Sequence, residues 1–364
     1  MLLRLLGVFL IAALAGAGCG SSGGGTPGAG GSGGGAIGGA TGGATGGAVG
    51  GTAGGVAGGA GGTTGAAGAG AAGSGGRVVT KFTVPSFFND PYDIVAGPDG
   101  NLWFGEADYF QVGRVTPTGT ITEFPVPSTA AKIGAITAGP DGNLWFIQSN
   151  PSQVGRITPA GTITTFAVNG SPGDITAGGD RAVWFSVPAI NVITRINSAG
   201  VTTAFTVPTA ASSPTGVTRG PDGNIWFAEA EKIGRLTPAG DFTEFSVTGV
   251  AARPSAIVTG PDGNLWFTEA GKDAKIGRLT PTGTATEFPL PAGNELIAIA
   301  AGPDGNVWFT DAGTKSVGRI TPAGAVTEFV VTDSAGKLGG ITAGPDNNIW
   351  FVDTPNNWIG YISP

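Results

Sequence analysis

A carboxylate recurs three residues after a repeated tryptophan, and it is the most regular feature of the sequence that could do chemistry. The seven positions of this set are Glu106, Gln148, Val187, Glu229, Glu269, Asp311 and Asp353. Five of the seven are acidic, so they could hold Mg²⁺ or Ca²⁺ through oxygen ligands or supply a general base. The structural alternative is a strand-end carboxylate that accepts backbone N–H bonds. The sequence favours this alternative, since Val187 shows that one copy lacks the acid. The candidates for a metal site are Glu106, Glu269, Asp311 and Asp353.

Imidazole chemistry is excluded, because the chain contains no histidine. A serine activated by histidine and a metal site built on imidazole are therefore both ruled out. The single cysteine, Cys19, precedes all the repeats and cannot serve a site within them.

The recurring acids belong to a phrase that occurs seven times. AGPDGNLWFGE at 96–106 returns almost unchanged along the chain, with a divergent copy, AGGDRAVWFSV, at 177–187. The tryptophans of the phrase are Trp103, Trp145, Trp184, Trp226, Trp266, Trp308 and Trp350. Their spacing of 39 to 42 residues, with strand and turn signals only, predicts propeller blades of four strands each.

The unit at 256–291 illustrates the predicted blade. AIVTG, NLWFTE, KIGRLT and TATEFPLP read as four strands, and Pro261-Asp262-Gly263 as the turn between the first two. Gly277, inside the third strand, is predicted to leave room for a neighbouring ring. Trp-Phe pairs repeated once per blade indicate core packing rather than ligand contact.

The two ends of the repeat region predict a closed ring. The chain stops after a third strand, and RVVTKFTVP at 77–85 matches the outer-strand pattern GTITEFPVP at 119–127. The N-terminal strand should therefore complete the last blade and cover an otherwise exposed edge. We expect an all-β, seven-bladed β-propeller of four-stranded blades over 77–364.

Ligands of propellers usually lie on the axis, over the end where each first strand begins. The residues that line this mouth are predicted to be Tyr92, Gly134, Gly173, Thr215, Ser255, Ile297 and Gly339. Of these, Tyr92, Thr215 and Ser255 are the predicted ligand contacts. Arginines that follow a glycine in the third strands are expected to be solvated or to pair with the recurring acids. They are Arg114, Arg156, Arg235, Arg278 and Arg319.

Residues 1–19 read as an export signal with a lipobox. Arg4 supplies positive charge, and the apolar core that follows is too short to span a bilayer. Cys19 follows two small residues and is the predicted lipidation site; the alternative is ordinary signal cleavage beside an incidental cysteine. Residues 20–76 are mostly glycine without a charged residue, which predicts a disordered tether with a reach of about 40 Å. The protein is thus expected to be a lipoprotein of the cell envelope, on its periplasmic or outer-surface side.

Charge narrows the choice of partners. Residues 77–364 carry 25 acidic and 17 basic residues, a net charge of −8. This balance argues against nucleic acid or anionic lipid as the main partner. We expect a monomer that binds a small molecule, a peptide or an envelope protein and meets the membrane only through its N-terminal lipid.

Units of the form GPDGNLWFTE…KIGRLTPTGTATEFPLP resemble the virginiamycin B lyase (streptogramin lyase) family across residues 77–364. The resemblance implies a seven-bladed propeller. It also implies an activity, because the family's enzyme opens cyclic depsipeptide antibiotics by Mg²⁺-assisted elimination. That enzyme uses a histidine general base beside glutamates at the axial mouth.

The sequence departs from the family at the residues that carry this activity. The catalytic histidines stand in a Pro-His-(Gly/Ala)-Ile phrase that enters an inner strand. The matching phrases here are Pro91-Tyr92-Asp93-Ile94, Pro254-Ser255-Ala256-Ile257 and Leu338-Gly339-Gly340-Ile341. A proton next to a carbonyl needs a base within reach, so a carboxylate would have to replace the imidazole. We expect the fold to transfer and the activity not to.

Three functions stay open from the sequence. The favoured one is a non-catalytic propeller that binds a protein, peptide or glycan at the cell envelope. The second is a lyase-like enzyme in which Asp93, Glu229 or Glu269 acts as the base with a divalent metal, Mg²⁺ or Ca²⁺. The third is a metal-dependent lactonase-type hydrolase, as in propellers of the gluconolactonase group.

Overall fold

The structure is a computed structural model of the 364-residue chain. It describes residues 78–364 apart from 87–89, 108–109, 128–131, 248–252, 271–273, 292, 332 and 335–336. The predicted signal segment 1–19 with Cys19, and the predicted linker 20–76, lie outside the described residues. Within the described ranges, no helix has the length and apolar character needed to cross a bilayer.

Seven four-stranded antiparallel sheets form the predicted propeller. Blade 1 holds β2 (Pro91–Ala96), β3 (Leu102–Glu106), β4 (Gln111–Val115) and β5 (Ile121–Pro125). Blade 2 holds β6 (Lys132–Ala138), β7 (Leu144–Ser149), β8 (Gln153–Ile157) and β9 (Ile163–Ala167). Blade 3 holds β10 (Ile175–Ala177), β11 (Val183–Val187), β12 (Val192–Ile196) and β13 (Thr202–Thr206), with a 3₁₀ turn at Pro188–Ile190. Blade 4 holds β14 (Val217–Arg219), β15 (Ile225–Glu229), β16 (Lys232–Leu236) and β17 (Phe242–Ser246).

The remaining blades repeat this order. Blade 5 holds β18 (Pro254–Thr259), β19 (Leu265–Glu269), β20 (Lys275–Leu279) and β21 (Ala285–Pro289). Blade 6 holds β22 (Leu296–Ala301), β23 (Val307–Asp311), β24 (Ser316–Ile320) and β25 (Val326–Val330). Blade 7 holds β26 (Leu338–Ala343), β27 (Ile349–Asp353) and β28 (Trp358–Ile362), and its outer strand is β1 (Val79–Thr83).

The N-terminal strand closes the ring as predicted. β1 pairs antiparallel with β28, from Val79 opposite Ile362 to Thr83 opposite Trp358. Phe82 on β1 is buried and stacks on Trp350 with ring centroids 5.7 Å apart. The first and last strands of the domain therefore share one sheet and one core.

Each second strand is buried along its whole length except at Ser149, the last residue of β7, because neighbouring blades cover both of its faces. Trp103 is fully buried and stacks on Phe124 of the outer strand, with centroids 5.4 Å apart. The Phe267 ring occupies the space beside Gly277, where a Cβ would collide with it, so the predicted role of this glycine is confirmed. The Trp-Phe pairs are core residues.

The Pro-Asp-Gly phrase forms the turn between the first and second strands. Gly263 has a φ of 75°, the left-handed conformation that glycine adopts without strain. Asn347 takes the same place in blade 7 with a φ of 61°. We name this side of the ring the turn end and the opposite side, where the first strands begin, the mouth end.

Candidate functional site

Two of the three predicted ligand contacts are neighbours at the mouth end, and the third is not. The hydroxyl of Thr215 in blade 4 donates to the carbonyl of Ser255 in blade 5 over 3.3 Å. Tyr92 stands in blade 1, and its ring is 47% exposed, which is unusual for a large side chain in this domain. Partial burial, Asp93 and Asp174 together raise the pKa of the Tyr92 phenol.

Close packing between blades explains the small residues at this end. A Cβ on Gly339 of blade 7 would lie 2.7 Å from the carbonyl oxygen of Tyr92 in blade 1. Gly216 donates its N–H to the carbonyl of Ser255 over 3.0 Å, which brings the inner strands of blades 4 and 5 together. At these two positions the backbones of adjacent inner strands approach closely, which leaves no room for larger side chains.

The recurring acids lie at the mouth end of each second strand, but they are not open to it. Glu106 lies opposite Pro91, the residue before Tyr92, and Glu269, Asp311 and Asp353 repeat this register in blades 5, 6 and 7. The exposed fractions are 0% for Glu106, 1% for Glu229, 4% for Glu269, 0% for Asp311 and 0% for Asp353. These carboxylates are held inside the ring.

The glutamates of this set are held under electrostatic strain. Burial, with a smaller effect from Glu123, raises the pKa of Glu106 to about 8. Neither carboxylate oxygen of Glu106 has a hydrogen-bond partner among the described residues. Burial also raises the pKa of Glu229 to about 7 and that of Glu269 to about 7, although Lys232 and Lys275 respectively act in the opposite direction.

The two aspartates of the set, Asp311 and Asp353, accept hydrogen bonds from backbone N–H groups, as expected of carboxylates with a structural role. Asp311 Oδ1 accepts backbone N–H bonds from Glu295 at 2.8 Å and from Gly313 at 2.8 Å. Asp353 Oδ1 accepts from the N–H of Asn356 at 3.3 Å. Burial raises the pKa of Asp353, while this bond and the Ser334 hydroxyl oppose the rise.

The metal candidates do not converge. They lie on blades 1, 5, 6 and 7, at Glu106, Glu269, Asp311 and Asp353. Across the described residues, no group of three or more acidic, histidine or cysteine side chains could hold a metal ion. Mg²⁺ and Ca²⁺ usually take several oxygen ligands at one point, a set that these residues do not offer. Metal binding at these positions stays a prediction.

Four of the five arginines, Arg114, Arg156, Arg235 and Arg319, contact a different acid from the one expected. Arg114 on β4 lies opposite Trp103, which places it at the turn end, away from Glu106. Its Nη1 lies 3.9 Å from Asp99 Oδ2 and donates to the carbonyl of Pro159 in blade 2 over 3.0 Å. The guanidinium carbon also lies 5.5 Å from the centre of the Trp103 ring. Pairing with the mouth-end acids was wrong because strand register separates the two sets by the length of a strand.

The axis holds a pair of acids of which the sequence reasoning found only one. Asp93 of blade 1 and Asp174 of blade 3 both line a cavity of about 330 Å³ at the centre of the ring. Asp174 had a signal in the sequence, because Asp-Ile opens the inner strand in both YDIVAG and GDITAG. Asp93 is a catalytic candidate, but its two oxygens accept N–H bonds from Ile94 at 2.9 Å and from Ile136 at 3.0 Å.

Comparisons with known proteins agree on one relationship. The model of the virginiamycin B lyase family matches residues 64–291 and 258–364. A streptogramin B lyase structure is 30% identical, with a TM-score of 0.74, and the match covers 78% of this chain and 97% of that one. The selenomethionine-substituted virginiamycin B lyase of Staphylococcus aureus is 31% identical, with a TM-score of 0.74, and the match covers 79% and 99%.

A third structure carries a ligand. It is a catalytically inactive variant of the Staphylococcus aureus lyase, with a histidine replaced by alanine, and it contains quinupristin. It is 31% identical to this chain with a TM-score of 0.74, and the match covers 79% of this chain and 99% of that one. A comparison with curated proteins found no match.

Proposed function

The chain belongs to the virginiamycin B lyase family, and from that premise we propose that it is a binding propeller tethered to the cell envelope, without the family's lyase activity. The ligand is a small molecule, a peptide or an envelope protein that sits over the mouth end. Tyr92, Thr215 and Ser255 are its proposed contacts.

The observation that carries this proposal is the missing imidazole. The chain has no histidine, whereas replacing one histidine accompanies loss of catalysis in the Staphylococcus aureus lyase. Elimination requires a base that reaches the carbon next to a carbonyl. At the positions equivalent to the family's phrase, this chain offers a phenol, a hydroxyl and a glycine instead, at Tyr92, Ser255 and Gly339.

The carboxylates that could replace histidine are poorly placed for it. Glu229 and Glu269 are buried between blades, with 1% and 4% of their surface exposed. Both oxygens of Asp93 already accept backbone N–H bonds below the mouth. A ligand at the mouth would meet the exposed Tyr92 ring before any of these acids.

Quinupristin is the probe that tests the proposal. The full chain is incubated with quinupristin in Mg²⁺ buffer, and the antibiotic is followed by absorbance and mass spectrometry. We expect no ring opening, because no imidazole is present to remove the proton. Calorimetric titration with the same compound, repeated on Tyr92→Ala, measures binding; Val201→Ala, an exposed apolar change outside the mouth, is the control. A ring-opened product would overturn the proposal.

A carboxylate-dependent lyase is the second candidate, and one observation favours it. Burial raises the pKa of Asp93 to about 7, which suits a general base near neutral pH. In that case quinupristin would open without a change of mass, and Asp93→Asn would abolish the reaction. A lactonase-type hydrolase would instead add one water to a lactone substrate.

The tether is tested separately. We propose lipidation at Cys19, so Cys19→Ser should move the protein from the membrane fraction to the soluble fraction of the cell envelope. Ser22→Cys in the Cys19→Ser background tests whether position matters, because a lipobox places its cysteine at one site. Equal membrane association of wild type and Cys19→Ser would contradict lipid anchoring.

A further inference from the structure

Two of the seven inner strands begin with an aspartate at the same position, directly before the first core residue. Asp93 precedes Ile94 in blade 1, and Asp174 precedes Ile175 in blade 3. The other blades place small residues there, namely Ala135, Gly216, Ala256, Ala298 and Gly340. The fold therefore does not require an acid at this position.

Each aspartate joins its own blade to the next one. Asp93 accepts from Ile94 of its own strand and from the N–H of Ile136 in blade 2 over 3.0 Å. Asp174 accepts from Ile175 at 2.8 Å and from the N–H of Val217 in blade 4 at 2.8 Å. The two side chains thus fasten two junctions between inner strands, blade 1 to blade 2 and blade 3 to blade 4.

The surroundings of the two carboxylates are unfavourable to charge. They are the only ionisable side chains among the described residues that line the axial cavity of about 330 Å³. The rest of its wall is isoleucine, valine and alanine with one threonine, Thr342. Two anions that face one largely apolar space pay a desolvation cost and repel each other.

We propose that Asp93 and Asp174 form a proton-linked clasp at the axis, in which uptake of a proton by the pair strengthens the closed ring. Ionised, the pair makes charge-assisted bonds to the neighbouring strands at the cost of repulsion and desolvation. Protonated, the pair is free of that cost, while the oxygen that carries the proton accepts its N–H bond more weakly and the other oxygen keeps its bond. The stability of the ring is therefore coupled to pH near neutrality.

The electrostatics of the pair agree with this geometry. Burial raises the pKa of Asp93 to about 7, and the charge of Asp174 adds to this rise. The hydrogen bond from the N–H of Ile136 acts in the opposite direction and lowers the pKa. Burial raises the pKa of Asp174 to about 6, while the hydrogen bonds from the N–H groups of Val217 and Ile175 lower it. Other ionisable groups on the packed strands are Tyr92 on β2, Glu106 on β3, Asp353 on β27, Lys132 on β6 and Arg219 on β14, with Lys337 directly before β26.

The sign of the coupling follows from linkage. A carboxyl whose pKa is higher in the folded state contributes most stability below its unfolded pKa, and that contribution is lost as pH rises through the folded pKa. The window is therefore between about 4, the ordinary pKa of aspartate, and the folded values of about 6 and about 7.

The test is denaturant unfolding of the full chain at pH values from 4.5 to 8.5, for wild type, Asp93→Asn, Asp174→Asn and the double variant. From the lowest to the highest pH, we expect the unfolding constant of wild type to rise at least about tenfold relative to that of Asp93→Asn. A constant offset from altered hydrogen bonding does not affect this ratio. Glu231→Gln, an exposed acid, should show no such change.

A direct titration keeps the proposal testable if a variant fails to fold. Aspartate carboxyl carbons of the wild-type chain, labelled with ¹³C, are followed by NMR over the same range. Two resonances that titrate above pH 5 and respond to each other are the expected result. Parallel unfolding curves for wild type and both single variants, or titration of every aspartate below pH 5, would each overturn the clasp.

Discussion

In blade 1, the two ends of the second strand carry acids of opposite character. At the turn end, Asp99 accepts from the Trp103 indole at 3.0 Å and from the Asn101 amide at 2.8 Å. Partial burial alone would raise the pKa of Asp99, but these bonds outweigh it and hold the pKa below its usual value. At the mouth end of the same strand, burial raises the pKa of Glu106 to about 8.

This contrast separates residues that hold the fold from those that are free to vary. At the turn end, the Trp indole donates to the turn Asp in every blade. An arginine lies beside that Asp in blades 1, 2, 4 and 6, and also in the divergent blade 3, where Arg195 pairs with Asp180. The residue at the mouth end differs in charge and polarity between blades, since Gln148 and Val187 replace the acid in blades 2 and 3. Repetition of the same bond from the Trp indole to the turn Asp in all seven blades indicates structure. Variation among strained groups indicates where sequence change is tolerated and where function can arise.

The largest expected effect on stability comes from removing β1, the N-terminal strand that completes blade 7 and closes the ring. Deleting 77–85 removes β1 and exposes the edge of β28 and the core around Trp350. We expect the melting temperature of the full chain to fall by about 10 °C or more. A deletion of equal length in the predicted linker, 38–46, is the control. An unchanged melting temperature for the first deletion would contradict closure by β1.

Removing one turn-end indole should come next. Trp308→Ala removes the stack on Phe329, at 5.7 Å, and leaves Asp304 without its indole N–H. We expect a loss of about 3–5 kcal/mol in the free energy of unfolding, measured by denaturant titration. Tyr92→Ala at the mouth end is the comparison and should change it by less than about 1 kcal/mol. Equal losses would erase the distinction between the two ends.

Most of this fold was predictable because each repeat carries the same sequence pattern for turns and strands. Seven copies of a turn, a buried Trp-Phe pair and an interior glycine such as Gly277 fix blade number, strand order and closure. For the candidate site, the sequence predicted which residues lie at the mouth end of each blade but not their burial or their partners. Whether Glu106 faces solvent or protein depends on the packing of adjacent blades. Asp93 and Asp174 line one cavity because the closed ring brings residues that are distant in sequence to the same axis. The partner of Arg114 depends on strand register, which the spacing of acids alone does not reveal.

The strain at the mouth end can be measured at Glu106. In the window between its ordinary pKa of about 4.3 and its folded value of about 8, wild type loses stability as pH rises, because the buried group must ionise. Glu106→Gln removes that cost, and Gln148 shows that glutamine fits the equivalent place in blade 2. We expect the variant to gain up to about 4 kcal/mol on wild type between pH 5 and pH 9 in denaturant titrations. A difference independent of pH would mean that Glu106 is not held under strain.

The smallest effect, and the opposite sign of pH dependence, is expected at the turn end. Asp99→Asn keeps an acceptor for the Trp103 indole but loses the charge that faces Arg114, 3.9 Å away. The pKa of Asp99 lies below its usual value, so its contribution is present above the unfolded pKa of about 3.9 and disappears as pH falls. We expect the variant to be about 1 kcal/mol less stable than wild type at pH 7, with the difference shrinking as pH falls below about 3.9, by thermal unfolding monitored with tryptophan fluorescence. Glu231→Gln, an exposed acid, serves as the reference for the general effect of removing one negative charge. If Asp99→Asn and Glu106→Gln shifted stability with pH in the same direction, the two ends of the strand would not differ in the way their hydrogen bonds indicate.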